Sequence, residues 1–478
     1  MQGGGLDTAP AARATDPATL AAIARGLAAD GVYDPRPGAE RHFRIGVPFP
    51  LAADTAALVA GLGGHLLAFQ RAVGSLYRRA AKGTAPAFVS RWLDLGKPDD
   101  LLRLARMGRF GNDLPRVIRP DLFVTDTGHA ITELDSVPGG MGLTDALQSR
   151  YAHAGYAVLG GADGMARGFS AMLRGLHDPV DTTVAIVVSD ESAAYRPEMA
   201  YLALRLKAHG VDAHVLEPRE VRFSEHGLSL ERHGEPVDIH VLYRFFELFD
   251  LPNIPKAELM LYAARKGTVR MTPPPRPALE EKLAMALFHH PALAAFWEKE
   301  LGPDSHAALS ALLPQTWVLD PAPVPPHAVI PGLTVDGVPV QGWEQLKTLG
   351  QKARRFVIKP SGFSETAWGA RGVVIGHDVS EAEWARALDH ALAAFPRTPH
   401  ILQPFHKARR HQVPWLTEGG AIAHMGARAR LCPYYFVSGE GEDMHATLGG
   451  MLATLCPEDK KRIHGMADAV MVPATLGS

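Results

Sequence analysis

The sequence predicts a mixed α/β and α+β chain made of more than one structural unit, and three observations carry that expectation. At 478 residues the chain exceeds the roughly 250–300 residues at which a single hydrophobic core stops growing. Apolar residues recur at helical spacing through the first hundred positions, as in Leu58, Leu62, Leu66 and Phe69, which gives an N-terminal helical layer. From position 181 onward, short β-branched runs alternate with amphipathic stretches, the pattern of βαβ units.

Residues 1–40 read as a loose terminus and a first helix from about Pro17 to Ala29, with Leu20, Ile23 and Leu27 on one face. Residues 41–180 hold the helical layer and then, from Arg116, two strand-like segments, VIRPDLFVTD and HAITELDSVP. The Asp126-Thr127-Gly128 link between them is a hairpin signal. Helix returns over 141–176. Residues 181–252 run strand (TTVAIVVSD), helix (Pro197 to Ala208), strand (VDAHVLEP), a turn pair and a further strand (VDIHVLYRF), a Rossmann-like subdomain. Residues 253–478 open with a helical stretch to about 300 and a proline-dense linker, Pro321 to Pro331. RFVIKP, RGVVIG, a helix from Ser380 to Ala394, HILQPF, AIAHMGARARL and YYFVSG then alternate.

Composition excludes several classes. Lys plus Arg is 49 and Asp plus Glu is 51, a net charge of −2, so nothing marks a nucleic-acid or anionic-membrane binder. Cys432 and Cys456 are the only cysteines, which rules out a disulfide framework and a four-cysteine zinc site and fits a reducing, cytoplasmic setting. Apolar stretches such as Ala56 to Phe69 fall short of the roughly 20 residues that span a bilayer. The run YAVLGGADGMARG has glycines at 160, 161, 164 and 168. That spacing misses the dinucleotide fingerprint, and the run reads as a tight turn.

Three pieces could carry chemistry. Arg119-Pro-Asp121 and Glu133-Leu-Asp135 each place two charged residues on one face of a strand. A hairpin returning at 126–128 sets the acidic pair opposite the first, and carboxylates that close need cations between them. Oxygen ligands without His or Cys suit Mg²⁺; a solvated hairpin with ordinary surface charge is the plainer alternative. Lys359-Pro-Ser-Gly362, running on through Gly369 and Gly372, ends an apolar strand in a glycine-bearing loop, suited to covering phosphates or simply to turning. His400-Ile-Leu-Gln403-Pro-Phe405 is a strand with a proline bend whose backbone could meet an adenine ring. Arg244 ends the strand VDIHVLYRF, where βαβ units present substrate groups. Arg428 and Arg430 alternate on HMGARARL. For these arginines an ordinary surface position is the competing reading.

Read together and in this order, the pieces resemble the circularly permuted ATP-grasp ligases, most closely the synthetase domain of glutathionylspermidine synthetase-like proteins. The resemblance rests on Arg119-Pro-Asp121, Glu133-Leu-Asp135-Ser-Val-Pro138, Glu281-Lys282-Leu-Ala-Met-Ala-Leu, LLPQTWVL at 312–319, Lys359 to Gly362, and His400 to Phe405. It spans about residues 40–475. Metal residues that precede the nucleotide lid are the permuted order. No N-terminal amidase is present, so only the synthetase half is implied.

That resemblance implies ATP as cofactor and one or two Mg²⁺ held by Asp121, Glu133 and Asp135. Arg119 would stabilise the transferring γ-phosphoryl group and the acyl-phosphate; from their strand positions alone, Arg244 is a candidate to bind a substrate carboxylate and Arg430 to face ATP or the acyl-phosphate. Lys282, Lys359, Gly362, Gly369, Gly372, Gln403 and Phe405 would hold the nucleotide. Asp135 stands where the family usually has Asn, which keeps an oxygen ligand and adds charge. The implied reaction is an ADP-forming carboxylate–amine ligation through an acyl-phosphate, on a small molecule or peptide acid and an amine. A phosphotransferase on the same scaffold and a non-catalytic ATP-binding partner protein are the alternatives, and oligomeric state stays open. Neither nucleic acid nor membrane is an expected partner.

Overall fold

The structure is a computed structural model that describes residues 16–177, 182–367, 371–460, 463 and 468–477. A seven-stranded sheet forms its centre. Along it lie Phe49–Leu51, Val470–Leu476, His445–Pro457, Ile422–Ser438, Val117–Val124 and His129–Asp135, while Arg410–Leu416 pairs with Ile422–Ser438 off this path. The hairpin from the first third of the chain is thus welded to strands from its C-terminal end, with Leu431 across from Leu122 and Tyr435 across from Ile118.

The sequence reading ended one strand before Pro433 and began another after it. The structure instead runs a single strand from Ile422 to Ser438. Its residues from Leu431 to Val437 are all buried, and burial on both faces favours continuing the strand. The register that sets Leu431 opposite Leu122 also sets Pro433 opposite Pro120. Neither proline has an N–H to donate, so the ladder lapses there without leaving a buried donor unpaired.

A second sheet has four parallel strands in the order Arg270–Thr272, Val241–Phe245, Thr183–Val188, Asp212–Leu216. Helix Arg196–Ala208 makes the crossover. The expected helical stretch over 253–300 is broken: helix Ala257–Lys266 leads into the edge strand Arg270–Thr272, and the short helix Leu283–Phe288 follows. Gly267, at φ 83°, ends the first helix, and the chain turns there into the sheet.

A third, antiparallel sheet has the order Trp317–Val318, His400–Pro404, Phe356–Pro360, Val374–Ile375. Helix Glu381–Ala394 covers one face, burying Trp384 and Leu388 against Phe356, Ile358 and Leu402. A reciprocal cap starts this helix: the Ser380 hydroxyl accepts from Glu383 N at 3.2 Å, and the Glu383 carboxylate accepts from Ser380 N at 2.8 Å. Ser380→Ala should therefore lower stability by about 1 kcal/mol in urea denaturation.

Helix Ala53–Ala81 corrects one expectation. It runs 29 residues and is, by length and composition, apolar enough to cross a bilayer. Half of that apolar window is buried inside the protein: Leu62, Leu66, Val73 and Leu76 join the main core, and the Tyr435 hydroxyl donates to Val59 O at 2.6 Å. The helix serves as a core element of the fold.

Candidate active site

On the hairpin, Arg119 stands across from Asp135 and Asp121 across from Glu133, so strand alternation puts all four on one face. The ladder slips between Asp121 and Leu122, because Leu122 pairs with Ile131 and Thr132 is left over. The freed Thr132 carbonyl accepts from Lys359 Nζ at 2.8 Å, across 227 residues of sequence. Lys282, at the start of helix Leu283–Phe288, reaches the same strand and pairs with Glu133 Oε1 at 2.8 Å. Two lysines from distant segments thus converge on the strand that carries Glu133 and Asp135.

The carboxylates are matched to cations one by one. Asp121 is buried; it lies 3.3 Å from Arg119 Nη2 and 3.1 Å from Arg430 Nη1, and the Cys432 thiol donates to it at 3.4 Å. Asp135 pairs with Arg119 at 3.0 Å. Burial raises both carboxyls. At Asp121 the two guanidiniums win and hold it below the usual range, whereas at Asp135 burial wins over Arg119, with Glu133 adding to the rise. Among the described residues no three of His, Cys, Asp or Glu gather in a group that could by itself hold a metal ion.

A narrow cavity of about 50 Å³ opens beside the hairpin, lined by Glu133, Asp135, Glu247, Glu280, Lys282 and Gly362. Its acids outnumber its bases. Burial, reinforced by Glu280 and Asp135, pushes Glu247 well above the ordinary carboxylate range, and Glu280 also rises. Burial would lower Lys282, but Glu133 overcomes it and the ammonium persists. Lys359, with less compensation, is lowered by burial to about 8. A site with surplus carboxylate and all-oxygen donors has the chemistry for Mg²⁺ with phosphate completing its shell.

Beyond the two arginines, a second cavity of about 280 Å³ is lined by Arg119, Arg430, Cys432, Tyr434, Tyr195 and Glu198 and reaches Arg41 and His42. Glu198 accepts from Gly140 N at 2.7 Å and Leu143 N at 3.1 Å, closing the start of helix Met141–His153. Burial lifts its carboxyl to about 7 in spite of those bonds. The proton is therefore held in the folded state between pH 4.5 and 7 and lost in the unfolded one, so stability should fall as pH rises through that window, by up to about 3 kcal/mol. Glu198→Gln should flatten this slope in urea titrations run at pH 5, 6, 7 and 8.

The remaining expected residues fall in different places. Arg244 is fully buried; its guanidinium donates to Pro273 O at 3.3 Å, to Phe246 O and to Glu280, so it lies beneath the cavity and orients Glu280. Gly362 packs on the backbone of Glu280, where an added Cβ would lie 1.8 Å from the carbonyl oxygen. Gly372 N donates to Thr366 O at 2.8 Å. Gly369 lies outside the described residues. The Gln403 side chain is buried and donates to Thr316 Oγ1 at 2.9 Å, and Phe405 N donates to Arg355 O at 2.8 Å, so both use their polar groups inside the fold. Sequence reasoning missed Glu247, Glu280, Tyr195 and Glu198. It also missed the buried Lys97–Glu281 pair, whose lysine lies 5.4 Å from the Phe363 ring on the glycine loop. Cys432 was within reach, because it alternates with Arg428 and Arg430 on one strand.

No protein-family model and no curated protein matches this chain. Among solved structures, a glutathione synthetase-like effector from Globodera pallida, in its apo form, is similar over 96% of each chain, with a TM-score of 0.59 and 12% identity. A putative gamma-glutamylcysteine synthetase from Methylobacillus flagellatus covers 90% of each chain, with a TM-score of 0.43 and 13% identity. The chain therefore has a mixed α/β fold like that of a glutathione synthetase-like structure over almost its entire length.

Proposed function

We propose that this protein is an ATP-dependent, ADP-forming ligase on a circularly permuted ATP-grasp scaffold, joining a carboxylate to an amine. The observation that carries the reading is the meeting of Lys282 and Lys359 on the Thr132–Glu133 step, beside the Gly362 loop. Phosphoryl transfer needs positioning and charge neutralisation above all, and two fixed ammonium groups beside oxygen donors supply both. In this reading Lys282 and Lys359 hold the nucleotide phosphates and the 402–405 segment borders the adenine. Glu133 and Asp135 hold Mg²⁺, which neutralises the phosphates when bound. Asp121, claimed by two guanidiniums, serves mainly to fix Arg119 and Arg430 toward the reacting carboxylate.

A substrate carboxylate oxygen attacks the γ-phosphorus and ADP leaves. The amine nitrogen then attacks the acyl carbon, phosphate leaves, and the ammonium proton is released. The test is turnover with Mg²⁺, ATP and panels of acids and amines. ADP and phosphate are expected, and hydroxylamine in place of the amine should trap a hydroxamate. AMP and pyrophosphate as products would overturn the reading, and ADP without hydroxamate would point to a phosphorylated product released as such.

A further inference from the structure

On the far edge of the third sheet lies a cavity of about 400 Å³ that shares no lining residue with the two hairpin cavities. Its walls are mainly aromatic and aliphatic, with Trp92, Trp317, Trp343, His289, His290 and Ile330 among them, and no lysine or arginine lines it. The indole N–H groups are already committed: Trp317 donates to Pro331 O at 2.8 Å, Trp343 to Asp320 O at 2.8 Å, and Trp92 to Asp320 Oδ2 at 3.0 Å. These bonds lock the rings and leave their faces as walls. Burial lowers both histidines below the ordinary imidazole range.

Asp320 is the one acid in this lining. Its carboxylate takes Trp92 and also Ala322 N at 2.8 Å, with exposed Arg91 at 3.9 Å. A carboxylate has about four lone-pair directions, so it can accept one more donor. The walls also belong to two bodies. Trp317 and Ile330 belong to the hydrophobic cluster under the third sheet, whereas Ala286 belongs to the main core, with Trp92 packed against it.

We infer that this cavity, which shares no lining residue with the two hairpin cavities, is a second ligand site for a flat aromatic molecule that carries an N–H and no anionic group. Size, aromatic walls and one acidic acceptor suit that class, and the lack of lining cations with Asp320 present rejects phosphates and carboxylates. Because an occupant touches both clusters, its affinity depends on how the third sheet sits on the body.

The probe is N-phenylnaphthylamine, aromatic and uncharged with one N–H, followed by its fluorescence in the full-length protein. Saturable one-to-one binding is expected, persisting with saturating ATP. Phenylnaphthalene, which lacks the N–H, should bind about 2- to 12-fold more weakly, and anilinonaphthalene sulfonate should not bind. Ala328→Trp and, independently, Ala322→Trp place an indole in the cavity from the exposed proline-rich loop and should each abolish the signal, with circular dichroism confirming that both variants fold. Displacement by ATP in simple competition, equal binding of the sulfonate, indifference to both tryptophans, or no saturation up to about 100 μM would each overturn the inference.

Discussion

Arg119→Met should lower ADP formation by at least about a thousandfold while leaving the parallel sheet and the third sheet folded. Arg119 is the hinge of the charge arrangement, since one guanidinium bridges Asp121 and Asp135, and its side chain is only 13% exposed. Removing it takes away the cation proposed to face the reacting carboxylate, where a donor or an arginine aimed at developing charge is worth about 10²–10⁵ in rate. It also leaves Asp135 beside Glu133 without its ion-pair partner, and Asp121 with Arg430 as its remaining ion pair. Breaking a buried pair from one side costs about 3–5 kcal/mol, so a lower melting temperature is expected as well.

Rate and stability are separable through Arg119→Lys. The lysine keeps the charge, and most of the stability should return, but a single ammonium cannot span both carboxylates as the planar fork does. Turnover should stay at least about tenfold down, a loss of roughly 1.4 kcal/mol of transition-state binding. Near-normal ADP release by Arg119→Met, measured on protein shown to be folded, would remove Arg119 from the chemistry and with it the proposed role of the hairpin.

The hairpin was legible in the sequence because its information is local. Alternation fixed which side chains share a face, and Asp126-Thr127-Gly128 marked the return, so the acidic pair was expected opposite the Arg/Asp pair; the one-residue slip that sets Arg119 across from Asp135 and Asp121 across from Glu133 was not legible. Helix Pro17–Ala29 and the capped helix Glu381–Ala394 were legible for the same reason. What stayed hidden depends on contacts far apart in sequence. Nothing near Glu133 announces that Lys282 will neutralise it, and nothing near Asp121 announces Arg430, 309 residues away. The expectation of three carboxylates waiting for metal counted the acids on the hairpin and not the cations that tertiary structure delivers. Arg244 was misplaced by the same route. A strand end facing a cleft was visible, but the depth that turns its guanidinium toward Phe246, Pro273 and Glu280 was not. Pro433 misled in the opposite direction: a local rule ended the strand, and Pro120 in the facing strand made the exception tolerable.

Gly362→Ala should reduce kcat/KM for ATP by about a hundredfold or more with little change in melting temperature. The added methyl would sit 1.8 Å from Glu280 O, 2.8 Å from Glu280 C and 3.3 Å from Glu281 Cα. All three are backbone atoms of the segment that Lys97 and Arg244 hold through Glu281 and Glu280, so the segment resists moving and the glycine loop must back away. That loop begins two residues after the strand bearing Lys359, and retreat pulls the ammonium from Thr132 and from the phosphates expected there; displacement of about 1 Å in such a site is enough for a loss of 10². The fold should survive, because residues 362–367 are half-buried or exposed and contribute little core. Two other glycines calibrate the result. Gly372→Ala meets the Pro360 ring at 2.7 Å and the loop carbonyl of Thr366 at 2.9 Å, atoms of a ring edge and of the loop itself, so the loss should be nearer tenfold. Gly64→Ala projects into open space from the exposed side of helix Ala53–Ala81 and should raise stability by about 0.5–1 kcal/mol with turnover unchanged. Equal activity of all three variants would show that the glycine loop need not close on Glu280 for catalysis.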